Sequence, residues 1–527
     1  MIHLPKDETK VMVAVHGWSG ILLGLLLYAV VLTGTAAVFA TEIGIWSAGH
    51  VATKSAFERP LGDTLRRLGT RTPSRFHEGV DLFEVGDGDA GIFFHRHQMS
   101  DGEIISRGIL YTVGKDGRVI DRRAGTSETL FGPRNDDALS AFLVDTHVRL
   151  HLPNPWGLLL TGILGLSMLV AAISGLLIHR HLFKDIFTLR GKAKPVLLNR
   201  DKHSVAGTWS LPFAFILAFT GSFFSFFGTI GVPIVAMAAF GGNVEALNDA
   251  VFGNPGTPDP RIVGIGNFDR ITADAIARTG EAPTFVSIEH FGRADAKVTT
   301  FHLPRKDGIA PQTLLYNGAT AQFEQIKPLI GRTPSAGGTL AAIMSPLHFG
   351  NFAGLVSKAI WFGLGFAMCY VTYTGMRLWR VRREAGTSSL GWLDRLLVIV
   401  GLGLPFALLV AAAAFLFTMP LGSAVYWTPA AFLIASAAAI GLGFLWPSSG
   451  DMVRWLQLAS GLIMLFLAPA RLLTGGPAWA TAMAAGQPVI PALDLAFFLA
   501  GAWLLWHKLA ARPHRGAPDP ATFQAAE

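Results

Sequence analysis

The sequence predicts a mainly α polytopic membrane protein, with about eight transmembrane helices, two α+β domains on the outer side of the bilayer and an internal duplication. Three observations carry that prediction. Of the 527 residues, 51% are hydrophobic and only 15% charged, against about 25% charged in soluble domains. The deficit is concentrated: between Leu396 and Trp506 the only formal charges are Asp451, Arg454, Arg471 and Asp494. Finally, two segments of globular composition, 41–146 and 241–347, are each flanked by apolar stretches that repeat one another in register.

The elements follow in order along the chain. Crossing the hydrocarbon core takes about 20 mostly apolar residues in a helix, and eight stretches meet or approach this: 11–40, 156–178, 205–235, 352–376, 396–418, 429–445, 455–470 and 493–506. The first has too long an uncharged run for a cleavable signal, whose apolar region spans about 7–15 residues, and is expected to be a permanent anchor. The last three are shorter and interrupted by Gly and Pro, which leaves their ends loosely defined. Segment 180–202 carries Arg180, Lys184, Arg190, Lys192, Lys194, Arg200 and Lys202 against two Asp, and Arg377, Arg380, Arg382 and Arg383 close the fourth helix. Basic residues flank membrane helices on the cytoplasmic side. Both termini, including Lys508, Arg512 and Arg515, are therefore expected inside and both globular segments outside. The net charge of +7 is largely this topology signal, and no nucleic-acid footprint is needed to explain it.

In each globular segment a strand-like alternation ends the unit. Residues 108–121 alternate around Lys115-Asp116-Gly117, a hairpin signal, and residues 312–326 repeat the same Leu-Tyr, Gly, apolar order. The expected division is 1–40 for the N-terminal tail and first helix, 41–146 for the first outer domain, and 147–240 for the second helix, a cytoplasmic linker and the third helix. Then come 241–347 for the second outer domain, 348–383 for the fourth helix, and 384–527 for a C-terminal membrane region of about four helices and a tail.

The duplication singles out four histidines. His16 is followed at fixed offsets by Gly20 and by Thr33-Gly34; His203 is followed at the same offsets by Gly207 and Thr220-Gly221. His147 precedes Ser174-Gly175 much as His348 precedes Thr374-Gly375. His16 and His203 begin outward-running helices at the inner face, whereas His147 and His348 begin inward-running ones at the outer face. Parallel repeats are related by an axis along the membrane normal, so equivalent histidines would face each other across it in two layers. Haem b suits that arrangement, because neutral imidazole is a good axial ligand. Gly20 and Gly207, one turn from their histidines on the same face, would make room for a porphyrin. Two haem b groups are expected, ligated by His16 with His203 and by His147 with His348.

Other residues compete. His179 is an alternative inner ligand, with His181 beside it, and His151 an alternative to His147; none fits the repeat as well. His95 and His97 share one face of a strand, where a solvated pair is the simpler expectation than a metal site. Arg471 and Asp494 are expected to form an ion pair at the outer end of the C-terminal bundle, or else a quinone or proton site. Lys358 would contact a haem propionate or snorkel outward. The single Cys369 excludes Cys-ligated clusters and disulfides.

The stretches HGWSGILLGLLLYAVVLTG from His16, THVRLHLPNPWGLLLTGILGL from Thr146, RDKHSVAGTWSLPFAFILAFTG from Arg200 and LHFGNFAGLVSKAIWFGLGFAMCYVTYTGMRLW from Leu347 resemble the PepSY-associated transmembrane family. This family includes iron-regulated inner-membrane ferric-siderophore reductases. The resemblance spans about residues 10–383 and implies PepSY-like outer domains and a di-haem protein. Such a protein would pass electrons across the bacterial inner membrane to a ferric siderophore in the periplasm. No GxGxxG in a strand–helix context, P-loop or Cys-rich cluster supplies a donor site, so electrons would come from a quinol or a separate reductase, and the only other expected partner is membrane lipid. The rival expectations are a transporter for a siderophore or another solute, and a membrane-anchored sensor or inhibitor without redox activity.

Overall fold

The uncharged run between Lys10 and Glu42 is longer than one straight span requires, and the chain divides it at Leu23. In the computed structural model, which describes residues 5–49, 54–86, 88–100, 103–132, 134–179, 187, 190, 195–254, 256–304, 309–384, 391–446 and 448–510, helices α1 (Lys6–Leu22) and α2 (Gly24–Ala37) meet at 68°. The expected single first helix is thus a bent pair. Leu23 leaves helical geometry (φ −111°, ψ 3°), and Gly24 presses against Met376, whose sulfur would lie 2.7 Å from a Cβ at that position.

A short α3 (Ala40–Ala48) leads out to the first globular unit: α4 (Gly62–Arg71), strands β1 (Gly79–Glu84), β2 (Ala90–Ser100), β3 (Glu103–Val113) and β4 (Val119–Thr126), then α5 (Ser127–Leu130). The expected hairpin is β3–β4, turning through Gly117 at φ 76°. Helix α6 (Ala138–Arg149) returns toward the membrane, ends at Leu150 in the left-handed region, and is followed by the span α7 (Trp156–Ile178). The second half repeats this order. Span α8 (Pro195–Phe226) continues through a π turn at Phe227–Gly231 into α9 (Val232–Phe240), and α10 (Val244–Phe252), α11 (Phe268–Thr279), β5 (Phe285–Glu289), β6 (Lys297–His302), β7 (Gln312–Asn317) and β8 (Phe323–Lys327) follow. Helix α12 (Ala336–Phe349) then leads into span α13 (Gly354–Glu384).

The two globular units are not separate, as their sequences suggest. They form one eight-stranded antiparallel sheet in the order β4-β3-β2-β1-β5-β6-β7-β8, joined where β1 pairs with β5, Val80 opposite Ile288 and Leu82 opposite Val286. One core serves both halves: Leu65 and Leu68 of α4 and Phe268, Ile271 and Ala275 of α11 pack with Val80, Leu82, Val286 and Ile288 on the same sheet face. The Asp269 carboxylate of α11 accepts hydrogen bonds from the Leu61 (2.7 Å) and Gly62 (2.8 Å) backbone N–H groups at the start of α4, so one half caps a helix of the other. Loss of such a cap costs about 0.5–2 kcal/mol. Asp269→Ala is accordingly expected to lower the thermal unfolding midpoint while leaving the visible spectrum of the purified protein unchanged.

The C-terminal region comprises α14 (Gly391–Val398), a π turn at Ile399–Gly403, α15 (Leu404–Thr418), α16 (Ala424–Leu445), α17 (Ser449–Leu473), the short α18 (Trp479–Ala484) and α19 (Val489–Ala510). Its three later spans are longer than their sequence suggests, and Pro429 and Pro469 lie inside α16 and α17 without ending them. Among the described residues seven helices are long and apolar enough to cross a membrane, or eight if the bent α1–α2 pair is one span. The chain is therefore a multi-pass membrane protein.

This region braces the end of the bundle nearest the sheet. Leu139, Phe142 and Leu143 of α6 pack with Trp46, Phe415, Leu467 and Ile490, and the Asn135 side chain bonds to Met419 O and Ala424 N across the α15–α16 turn. Arg471 and Asp494 form the expected ion pair (2.6 Å) with side chains 1% and 0% exposed. The Trp46 and Trp479 indole N–H groups each donate to Asp494 at 2.8 Å, and the Arg471 guanidinium donates to Pro477 O. A buried pair satisfied on this many sides is a structural clamp.

Candidate functional site

Four spans, α1–α2, α7, α8 and α13, pack around a common axis and hold the four histidines in two layers. At the end remote from the sheet, His16 of α1 and His203 of α8 face each other with ring centroids 6.2 Å apart and planes at 72°. At the sheet end, His147 and His348 are 6.1 Å apart with planes at 28°. These two do not begin the inward spans, as expected from sequence. They close the short helices α6 and α12, which end in left-handed Leu150 and Gly350. In both layers equivalent histidines of the two halves are the ones brought together.

Each ring is fixed from behind by the helix it packs against. His16 Nδ1 lies 2.9 Å from Ala171 O and 3.3 Å from Ser174 Oγ. His203 Nδ1 lies 3.1 Å from Val371 O and 3.2 Å from Thr374 Oγ1. His147 Nδ1 is 2.9 Å from Val30 O, and His348 Nδ1 is 2.9 Å from Thr220 Oγ1. With Nδ1–H donating backward, Nε2 is the unprotonated nitrogen, and among the described residues no hydrogen bond occupies any of the four Nε2 atoms. That is the tautomer a metal-ligating histidine needs, with the outer-shell acceptor that orients it.

The glycine of each Ser/Thr-Gly dipeptide makes the approach possible. A Cβ at Gly34 would lie 2.6 Å from the His147 ring, at Gly375 3.0 Å from His203, and at Gly175 and Gly221 3.2 Å from His16 and His348. In the sequence these dipeptides serve only as landmarks of the repeat; their role as cradles emerges when each is matched to a histidine on another helix. The duplicated spacing was the available signal, but it does not say which helices meet.

The spacing tests the fit of an iron porphyrin. A metal–imidazole bond of about 2 Å on each side, plus about 1.1 Å from nitrogen to ring centre, separates the centroids of two trans imidazoles by about 6.2 Å; both layers match it. Between His16 and His203 lies a cavity of ≈ 760 Å³, with apolar walls that include Leu27, Met168, Leu211, Ala214, Met368 and Val371 and a mouth carrying Arg200, Arg382 and Arg383. Gly20 has nothing within 4 Å of a would-be Cβ and Gly207 only Val371 near that limit, so both leave open the space expected of them. Apolar walls with cations at one edge suit a planar apolar ring bearing carboxylates.

The competing residues fall elsewhere. His179 lines the mouth of the same cavity, beyond the end of α7, while His181 lies outside the described residues. His151 is committed to Asp145 (2.8 Å) and Thr146 (2.7 Å) and stacks on Phe142. His95 is buried rather than solvated, bonded to Asp81 (3.0 Å), which also accepts from Ser287 across the sheet seam; His97 bonds to Glu78. Lys358 neither snorkels nor meets the cavity. It pairs with Glu42 at 2.6 Å, the two side chains 13% and 12% exposed.

A family model described as the PepSY-associated TM region matches residues 13–382. A Pseudomonas aeruginosa protein whose description reads "uncharacterized" is 28% identical over 407 residues, covering 72% of this chain and 96% of that protein.

Proposed function

The chain belongs to the family of the PepSY-associated TM region, and from that premise we propose that it is a di-haem b oxidoreductase of the bacterial inner membrane. In this reading it passes electrons from the cytoplasmic side to a ferric siderophore in the periplasm, releasing iron as Fe(II). The observation that carries the reading is the pair of histidine layers, whose facing rings lie 6.2 and 6.1 Å apart between centroids. His16 and His203 would hold one haem, His147 and His348 the other. The basic residues around 180–202 and 377–383 support cytoplasmic termini and a periplasmic sheet.

Held by one histidine from each half, a bound haem would supply one-electron storage in place of oxygen chemistry. The residues of the chain do the rest. A backbone carbonyl, a Ser/Thr hydroxyl or both behind each Nδ1 hold the imidazoles in one tautomer and orientation. Leu27, Met168 and Met368 fill the space between the layers and exclude water. Arg200 and Arg382 at the cavity mouth would compensate the porphyrin carboxylates. The donor would be a quinol or a separate reductase.

Detergent-purified protein is expected to show a Soret band and, by pyridine haemochrome, two haem b per chain. One per chain would make one layer structural. A value near zero would overturn the reading and favour a siderophore or solute transporter, or a membrane-anchored sensor.

A further inference from the structure

The four histidine cradles are built to one plan, and one of them departs from it. The carbonyl that accepts from Nδ1–H lies three residues before the Ser/Thr of the dipeptide: Ala171 before Ser174 for His16, Val371 before Thr374 for His203, and Val30 before Thr33 for His147. By that plan His348 should bond to the carbonyl of Leu217, three before Thr220. Its Nδ1 instead meets only the Thr220 hydroxyl, at 2.9 Å. Thr220 gives its own proton to Ile216 O at 2.6 Å, so its oxygen accepts and His348 donates.

The layers therefore differ in the number and kind of acceptors behind their ligands. His16 and His203 each have a carbonyl and a hydroxyl within 3.3 Å. At the sheet end His147 has a carbonyl alone and His348 a hydroxyl alone. A strong acceptor on the far nitrogen raises the basicity of an imidazole ligand; a more basic ligand stabilises ferric over ferrous iron and lowers the reduction potential. An amide carbonyl is a stronger acceptor than a hydroxyl.

Resting on the di-haem reading above, we propose that the hydroxyl acceptor behind His348 sets the sheet-end haem at the higher potential, so that one electron passing between the layers comes to rest at the sheet end. The transfer oxidises a ferrous iron in the His16–His203 layer, reduces a ferric iron in the His147–His348 layer, and moves no proton. Thr220 is a positioning and tuning residue that touches neither metal nor substrate. The arginines at the opposite mouth favour ferrous iron there only so far as the porphyrin carboxylates leave them uncompensated. Toward the sheet end the pairs Lys358–Glu42, Arg149–Asp145 and Arg471–Asp494 are each neutral as a whole.

The test is a potentiometric titration of the full-length protein followed by absorbance and by electron paramagnetic resonance. The two sites are distinguishable because ring planes at 28° give a rhombic low-spin ferric signal and planes at 72° a strongly anisotropic one. The rhombic signal is expected to vanish first on reduction. Thr220→Asn, which supplies an amide carbonyl, should shift the sheet-end potential downward and leave the other unchanged, whereas Thr220→Ser should leave both unchanged. Loading of two haems with the rhombic signal last to vanish, or with no shift in Thr220→Asn, would overturn the inference and leave the di-haem reading intact. Failure to load haem would overturn both. Should Thr220→Asn not fold, the order of reduction in the wild-type protein still decides.

Discussion

His16→Ala and His203→Ala proteins are each expected to purify with one haem instead of two, keeping the rhombic signal of the sheet-end site, and His147→Ala and His348→Ala are expected to do the reverse. The reason is geometric. Each layer draws one ligand from each half, and along α8 the 17 residues from His203 to Thr220, which cradles His348, separate the layers by about 26 Å at ~1.5 Å per residue. His179 lines the same cavity but takes part in neither facing pair, so a lost ligand has no substitute across its own pair. His179→Ala should keep both haems. Haem counts by pyridine haemochrome, with the magnetic signals to say which site survives, would check this; loss of a haem in His179→Ala with retention in His16→Ala would show that the ligand pairing is wrong.

The second large effect concerns passage of electrons. In wild-type protein reduced with dithionite, a ferric siderophore is expected to reoxidise the haems, with Fe(II) captured by a colorimetric trap. In His348→Ala the remaining haem should still reduce but should reoxidise far more slowly, because an electron held in the His16–His203 layer would face most of the hydrocarbon thickness, ~30 Å, with no carrier between. Stopped-flow absorbance at the haem bands reads both steps. An unchanged reoxidation rate, once loss of the sheet-end haem is confirmed, would take that layer off the electron path.

Much of this was legible in local sequence pattern. The span Trp156–Ile178 has the bounds its apolar run predicts, and the strand pairs β3–β4 and β7–β8 fall where alternation and turn residues put them. The four histidines were legible because a duplication repeats a chemical constraint twice, and both predicted pairs face each other. What escaped was contact between residues far apart in the chain. Nothing in the β1 sequence identifies β5 as its partner some two hundred residues later. Nothing around Lys358 announces Glu42 at 2.6 Å, and Ser/Thr-Gly reads as generic helix packing until a histidine from another helix is set against it. The bend at Leu23 escaped for another reason: no proline marks it, and Gly24 is one of several glycines in that run.

The union of the two half-sheets imposes an order of events on biosynthesis. When β1 to β4 have left the ribosome, the free edge of β1, Gly79–Glu84, waits for Phe285–Glu289. Two spans, α7 and α8, must be inserted between them first. Throughout that interval the nascent half exposes a hydrogen-bonding edge and half of an apolar core, the two features that invite aggregation. The same open edge is complementary to the β5 edge of any other copy being made nearby, so a stalled or truncated second half would leave a chain able to exchange half-sheets with its neighbour. A split of the gene between the halves should therefore yield function only when both fragments are made together, each serving as the other's missing strand.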